Sequence, residues 1–395
     1  MAFQFKSVLI TGANRGLGLE FVKQLAKASP SPKYIFATCR SPEGDTVKNL
    51  RELAASHSNV TIIKLDASDK QSIENSAAAV KEKLGDEGLD LIINNAGIGA
   101  PGKLLQVTNE DMIRVYQTNV IGPLNVVQAY HSLITKAGKK KGFAAVINMS
   151  SWLGSCEQTS TGGFYPYGVS KGAMNRMTRA LSYDLIGDNV IAVSMNPGWV
   201  KTDLGSQNAT LTTEESIEKM LKPNTFLTWI RFSHFRLVVL HSKSALCKYN
   251  LITVGLTFIP FQFESVLITR ANASDKQSIE NLVAVIKEKL GNQGLDLIIN
   301  NTGIGAPGKL LQVTNEDLIL VYQTNAYHFL IIKAGKKKGF TAMINISSLL
   351  ESCGQTPVGK FYPYGLSKAV MNRLTKGLSI DLIGDNVIAI SMNPG

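Results

Sequence analysis

Cysteine, histidine and tryptophan are scarce: four, five and three residues in a chain of 395. Cys39, Cys156, Cys247 and Cys353 form no C-x-x-C pair, so neither a disulfide framework nor a zinc cage is expected. His57, His131, His234, His241 and His328 stand at no metal-ligand spacing to one another or to cysteine, and no metal is expected. Long apolar runs are missing too. The most suspicious apolar run, Tyr249 to Phe263, lacks charge but falls short of the roughly 20 residues of a membrane-spanning helix and contains Pro260, so no membrane partner is expected. The amino terminus passes from MAFQFK straight into a strand-like run without the pattern of a secretory leader, which points to a reducing, cytoplasmic setting. Acidic residues are the minority, 30 Asp+Glu against 41 Lys+Arg, for a net charge of +11. The excess invites an anionic partner, but the basic residues are spread through both halves. Their two clusters, Lys139 to Lys141 and Lys336 to Lys338, read as solvated turns before a strand. No nucleic-acid partner is expected.

What is present is a repeat. Residues 67 to 119 and 273 to 325 align without gaps and match at 44 of 53 positions. The match resumes at AYHSLITKAGKKKGF (Ala129) and AYHFLIIKAGKKKGF (Ala326) and runs on through SMNPG. A period this long means tandem domains. The second copy lacks counterparts of Arg15 through Asp66 and of Val120 to Gln128. Between the copies, Lys222 to Pro260 is apolar and basic, without Asp or Glu, and resembles neither. The expected division is a first domain over 1–221, an atypical join over 222–260 and a truncated second copy over 261–395. The first domain is expected to lack its final strand, with Leu237 to Leu240 as the one candidate replacement.

In the first copy, near-continuous apolar runs alternate with helical patterns. SVLITG, YIFATC, VTIIKLD, LDLIINNAG, FAAVINMSS and VIAVSMNPG read as strands. Helices are expected over Gly16 to Ala28, Pro42 to Ser56, Lys70 to Leu84, Asp111 to Ala137 and Tyr167 to Leu185. Uninterrupted apolar strands are those of a parallel sheet covered on both faces. The expected fold is α/β, a doubly wound parallel sheet of the Rossmann kind, followed by a partial second copy.

TGANRGLG, Thr11 to Gly18, places Gly12, Gly16 and Gly18 where the first strand turns into the first helix. Residues without side chains let the backbone approach a pyrophosphate, and the helix N-terminus offers unpaired N–H donors. The end of the second strand carries Cys39 and Arg40 in place of the acidic residue expected for a free ribose hydroxyl. Arg40 with Arg15 could therefore clamp a 2′-phosphate, which favours NADP over NAD. FYPYGVSK sets Tyr167 and Lys171 four apart on one helical face. An ammonium near a phenol favours the phenolate and lowers the tyrosine pKa from about 10, allowing proton exchange with a carbonyl or alcohol oxygen.

Together TGANRGLGLE, ATCR, NNAGI, Asn119, INMSSWLGS, Tyr167-x-x-x-Lys171 and NPGWVKTD resemble the short-chain dehydrogenase/reductase family, and within it carbonyl-reductase-like members of the sniffer and C-factor type. The resemblance covers Ser7 to about Leu221. It implies an NADPH-dependent oxidoreductase that reduces a small-molecule carbonyl, an aldehyde, ketone or quinone, to an alcohol. Tyr167 is then the proton donor and Ser151 hydrogen-bonds the same oxygen. Lys171 lowers the Tyr167 pKa and holds the nicotinamide ribose, and Asn119 supports Lys171 through a water. Gly12, Arg15, Gly16, Gly18, Arg40, Asp66, Asn94 and Thr202 line the cofactor. Family members pair through the helices carrying Asn119 and Tyr167, so the chain either forms a homodimer or pairs its own two copies.

The second copy spells out Asn325, Ser348, Tyr364 and Lys368, yet Arg270 replaces the first glycine and the other two are absent. No independent turnover is expected from it. Two alternatives stay open from the sequence: an inactive NADP-binding pseudoenzyme, and a mis-joined pair of reductase genes.

Overall fold

The computed structural model describes residues 5–100, 102–104, 106–222, 281, 284, 297–300, 310–326, 341–348, 362–382, 384 and 387–392. Six strands form one parallel sheet: β1 (Ser7–Ile10), β2 (Tyr34–Cys39), β3 (Val60–Lys64), β4 (Leu91–Asn94), β5 (Ala144–Met149) and β6 (Val190–Met195). Their order is β3-β2-β1-β4-β5-β6, the doubly wound arrangement in which the winding reverses between β1 and β4. Every residue of β1, β4 and β5 is buried, because helices cover both faces.

Those helices are α1 (Gly16–Lys27), α2 (Lys48–Ser56), α3 (Lys70–Leu84), α4 (Asn109–Tyr116), α5 (Gly122–Ala129), α6 (His131–Lys141), α7 (Tyr165–Asp184) and α8 (Thr213–Leu221). Local signals start several of them. Asp69 accepts from the Gln71 amide at 2.9 Å, Thr108 from the Asp111 amide at 3.1 Å, and Thr212 and Glu215 cap each other reciprocally.

The single helix expected over Asp111 to Ala137 is instead three. A π-helical turn, Gln117–Ile121, separates α4 from α5, and Tyr130 separates α5 from α6. Pro123 brings no N–H to the ladder. Gly122 lies so close to the β3–α3 connection that a Cβ there would stand 2.2 Å from the Ala67 carbonyl oxygen. Lys139 to Lys141, expected in a turn, form the last turn of α6, which ends only at left-handed Gly142. Lys139 pairs there with Asp188 at 2.8 Å and Lys141 with Asp90 at 2.5 Å.

In the second copy, β7 (Leu297–Asn300), β8 (Thr341–Ile346) and β9 (Val387–Met392) form a parallel sheet in that order, with helices α9 (Asn315–Ala326) and α10 (Tyr362–Asp381). Asn345 faces Ser391 across β8–β9 as Asn148 faces Ser194 across β5–β6. The two copies meet helix to helix. The Tyr165 hydroxyl donates to Asp381 at 2.6 Å, and its counterpart Tyr362 donates to Asp184 at 2.8 Å. Tyr116 and Tyr322 stack with ring centroids 3.9 Å apart. One apolar core runs from Leu9, Ile92 and Met174 through this contact to Leu366, Val370 and Leu374. The expectations for 223–260, Leu237 to Leu240 included, and for Arg270 lie outside the described residues. Among the described residues no helix is long and apolar enough to cross a membrane.

Candidate active site

The glycine turn lies at the carboxyl ends of β1 and β4, where the winding reverses. Gly12 and Gly16 have φ of +66° and +54°, conformations that a side chain would strain. A Cβ at Gly18 would fall 2.1 Å from the Gly12 carbonyl oxygen, so only glycine lets α1 begin this close to the turn. No side chain caps α1, and no acidic residue stands in its first turn. Its leading N–H groups are left for an anion. The turn is tied down by two residues that the sequence reading passed over. Thr11 Oγ1 accepts from the amides of Asn95 and Ala96 at 3.0 Å each, and Asn95 Nδ2 donates to the carbonyls of Thr11 and Gly12 at 2.9 and 3.1 Å. The signal was the second asparagine of NNAG.

The remaining residues expected along a cofactor divide. Arg15, exposed at the start of α1, pairs with Asp203 at 2.5 Å. Arg40 is exposed just past β2. Asp66, just past β3, accepts from the Ser68 amide and hydroxyl at 2.9 and 2.7 Å. The Thr202 hydroxyl accepts from the Gly205 amide at 3.0 Å, and its methyl faces Gly16. Asn94 turns into the sheet instead. Its Nδ2 donates to Asn148 at 2.8 Å, which donates to Thr178 at 2.8 Å, and Ser194 donates to the same hydroxyl at 2.9 Å.

Beside the turn, β5 and α7 bring Ser151, Tyr167 and Lys171 together. The Tyr167 phenol is hydrogen-bonded to Ser151. Ser150, the other serine of the pair, is spent in the core on Asn175 at 2.6 Å. Lys171 Nζ donates to the Met149 carbonyl at 2.7 Å and lies 5.4 Å from the Tyr167 ring centroid. Asn119, in the π-helical turn, accepts from the Ile98 amide at 2.9 Å and donates to the Ile98 carbonyl at 2.8 Å and to Ser170 at 3.0 Å. A Cβ at Gly97 would touch both Asn119 Oδ1, at 3.4 Å, and Lys171 Nζ, at 3.7 Å, so these two groups share one wall.

Burial sets the ionisation of this pair more than their attraction does. Burial pushes the Tyr167 phenol up to about 12, opposed by its hydrogen bond to Ser151. Burial brings the Lys171 ammonium down to about 7. The lowered tyrosine pKa expected from i,i+4 spacing is not what the fold produces, because Lys171 reaches a carbonyl and the ring face rather than the phenol oxygen. The second copy repeats the arrangement: Lys368 Nζ donates to the Ile346 carbonyl at 2.9 Å and lies 5.5 Å from the Tyr364 ring. Among the described residues no cluster of three or more His, Cys, Asp or Glu could hold a metal ion.

A profile of the family described as short chain dehydrogenase matches residues 6–212 and again residues 259–395. The chain belongs to this family. An uncharacterized oxidoreductase of Schizosaccharomyces pombe is 34% identical over 240 residues, 56% of this chain and 91% of the relative. The solved structure of an NADPH-bound carbonyl reductase from chicken fatty liver is 40% identical, with a TM-score of 0.54, over 56% of this chain and 91% of that one. The carbonyl reductase Sniffer of Drosophila melanogaster is 37% identical, with a TM-score of 0.54, over 55% and 91%. Among the described residues, the second stretch of the family match supplies counterparts of β4 to β6 and of α4 and α7, namely β7 to β9 with α9 and α10.

Proposed function

We propose that the first copy is an NADPH-dependent carbonyl reductase, reducing an aldehyde, ketone or quinone with Tyr167 as proton donor. The observation that carries this reading is the convergence of Ser151, Tyr167, Lys171 and Asn119 beside a glycine turn at the sheet's switch point. The residues present fit the dinucleotide: the α1 N-terminus is uncapped and its first turn free of acidic residues, Gly12 and Gly16 hold the positive φ of the turn, and Gly18 lets α1 start against the Gly12 carbonyl. The backbone of that turn would hold the pyrophosphate, with Arg15 and Arg40 toward a 2′-phosphate and Lys171 toward the nicotinamide ribose. The relatives titled carbonyl reductase support the same reading. When bound, the cofactor supplies a hydride to the carbonyl carbon.

The chain's own groups do the rest. A phenol held near 12 is fully protonated at neutral pH and can give its proton to the oxygen as that oxygen gains charge. Ser151, bonded to the phenol, aims a second donor at the same oxygen. At and below about pH 7, where it keeps its proton, Lys171 offsets the negative charge left on the phenolate, and Asn119 braces the wall they share. Leu204 packs over Gly99 beside the Tyr167 ring, which gives the approach to the phenol an apolar side.

Substituting Tyr167→Phe should lower kcat by about 10²- to 10⁴-fold while leaving the NADPH Kd within about twofold. Tyr364→Phe should change neither, since the second copy is assigned no turnover. Loss of NADPH absorbance with a panel of carbonyl compounds, together with a fluorescence titration, reads both. A Tyr167→Phe chain with full activity would overturn the assignment.

A further inference from the structure

Among the described residues two arginines are the largest side chains fully withdrawn from solvent, Arg176 on α7 and Arg373 on α10. Burying a guanidinium is costly unless its donors are spent. Arg373 spends only Nε, on the carbonyl oxygen of Leu153, 2.6 Å away and 220 residues earlier in the chain, while its buried Nη1 and Nη2 find no hydrogen-bond partner among the described residues. Leu153 belongs to the short 3₁₀ turn, Trp152–Gly154, that follows Ser151, and its own amide donates to Ser151 Oγ at 3.2 Å. One residue is therefore gripped at both ends, by the second copy on its carbonyl and by Ser151 on its amide.

The guanidinium also sets the fit of α7. A Cβ at Gly168, the residue after Tyr167, would stand 2.9 Å from Arg373 Nη2 and 3.1 Å from the Leu153 oxygen. Gly154 lies flat on the same helix: a Cβ there would come within 2.9 Å of Lys171 Cβ. At the far end, the Tyr165–Asp381 hydrogen bond fastens the start of α7 to the last residue of α10.

We propose that Arg373 is a positioning residue for the first copy's site: through α10, the second copy holds the Ser151 turn against Tyr167 instead of catalysing on its own account. This rests on the reading of Ser151 and Tyr167 as the working pair. The part of the duplicate that is present is the part that makes this contact.

The test uses the full chain with Arg373→Met and Arg373→Lys. Peptide-level hydrogen exchange is read over 151–155, whose sequence differs from its counterpart in the second copy. In Arg373→Met these amides should exchange at least about tenfold faster, with 12–18 unchanged. Carbonyl-reduction kcat should fall about 10- to 100-fold and the NADPH Kd stay within about twofold. In a Ser151→Ala background the same change should cost less than about threefold, because the effect runs through Ser151. Arg373→Lys, which keeps a charged donor group, should fall between wild type and Arg373→Met in each readout, and it carries the exchange comparison if Arg373→Met does not fold. Unchanged exchange over 151–155, or an equal loss of kcat in both backgrounds, overturns the proposal. A wild-type chain without carbonyl reduction would sink the reductase reading alone, since the exchange comparison needs no turnover.

Discussion

Lys171 is 3% exposed, and burial brings its ammonium down from 10.5 to about 7. Between those two pH values the unfolded chain holds a proton that the folded chain has released, so stability must rise with pH through this window. Below about pH 7 both forms are protonated and the full cost of burying the charge is paid. Lys171→Met removes the titrating group while keeping a side chain of similar reach. The limiting slope is about 1.36 kcal/mol per pH unit. Integrated from about pH 6.5 to about pH 8.5 with a folded value of about 7, wild type should gain about 2 kcal/mol relative to the variant. Urea unfolding without cofactor, followed by tryptophan fluorescence, measures this directly. Contributions from every other titrating group cancel in the difference between the two proteins. A stability difference that stays constant across that range, or moves in favour of the variant, would refute the claim that Lys171 is held desolvated.

Gly18→Ala forces a methyl to within 2.1 Å of the Gly12 carbonyl unless the turn opens, so NADPH affinity in a fluorescence titration should drop at least about tenfold. Arg40→Asp should weaken NADPH binding at least about tenfold while leaving or improving NADH binding, as a 2′-phosphate contact requires; equal losses for both cofactors would remove Arg40 from that role. Tyr165→Phe removes a hydrogen bond at the contact between the copies; because Asp381 is exposed and water can replace the donor, the change should cost about 0.5 to 1.5 kcal/mol in denaturant unfolding.

Periodicity carried much of this fold. β1, β4 and β5 are apolar at nearly every position, and that pattern is only stable in a sheet with both faces covered. Local chemistry was equally readable in TGANRGLG, whose glycines take the positive φ and the close approach that the turn demands. The break between α4 and α5 was not read, although Pro123 was visible, because the close contact of Gly122 with Ala67 joins residues 55 positions apart. Thr11 and Asn95 escaped for the same reason: their hydrogen bonds tie β1 to β4, and sequence spacing says nothing about which strands become neighbours.

The linear sequence thus determined the doubly wound class and the duplication, and its i,i+4 spacing set Tyr167 and Lys171 on one helical face, whereas Ser151 was marked only by the family resemblance and meets Tyr167 because β5 and α7 pack side by side. Tertiary structure alone decided how those groups ionise, because desolvation depends on what packs over a side chain rather than on its neighbours four residues away. It also decided the bearing of the second copy on the first. Arg373 and Leu153 meet across 220 residues, and only the packing of α10 on α7 brings a buried cation to the turn that carries Ser151.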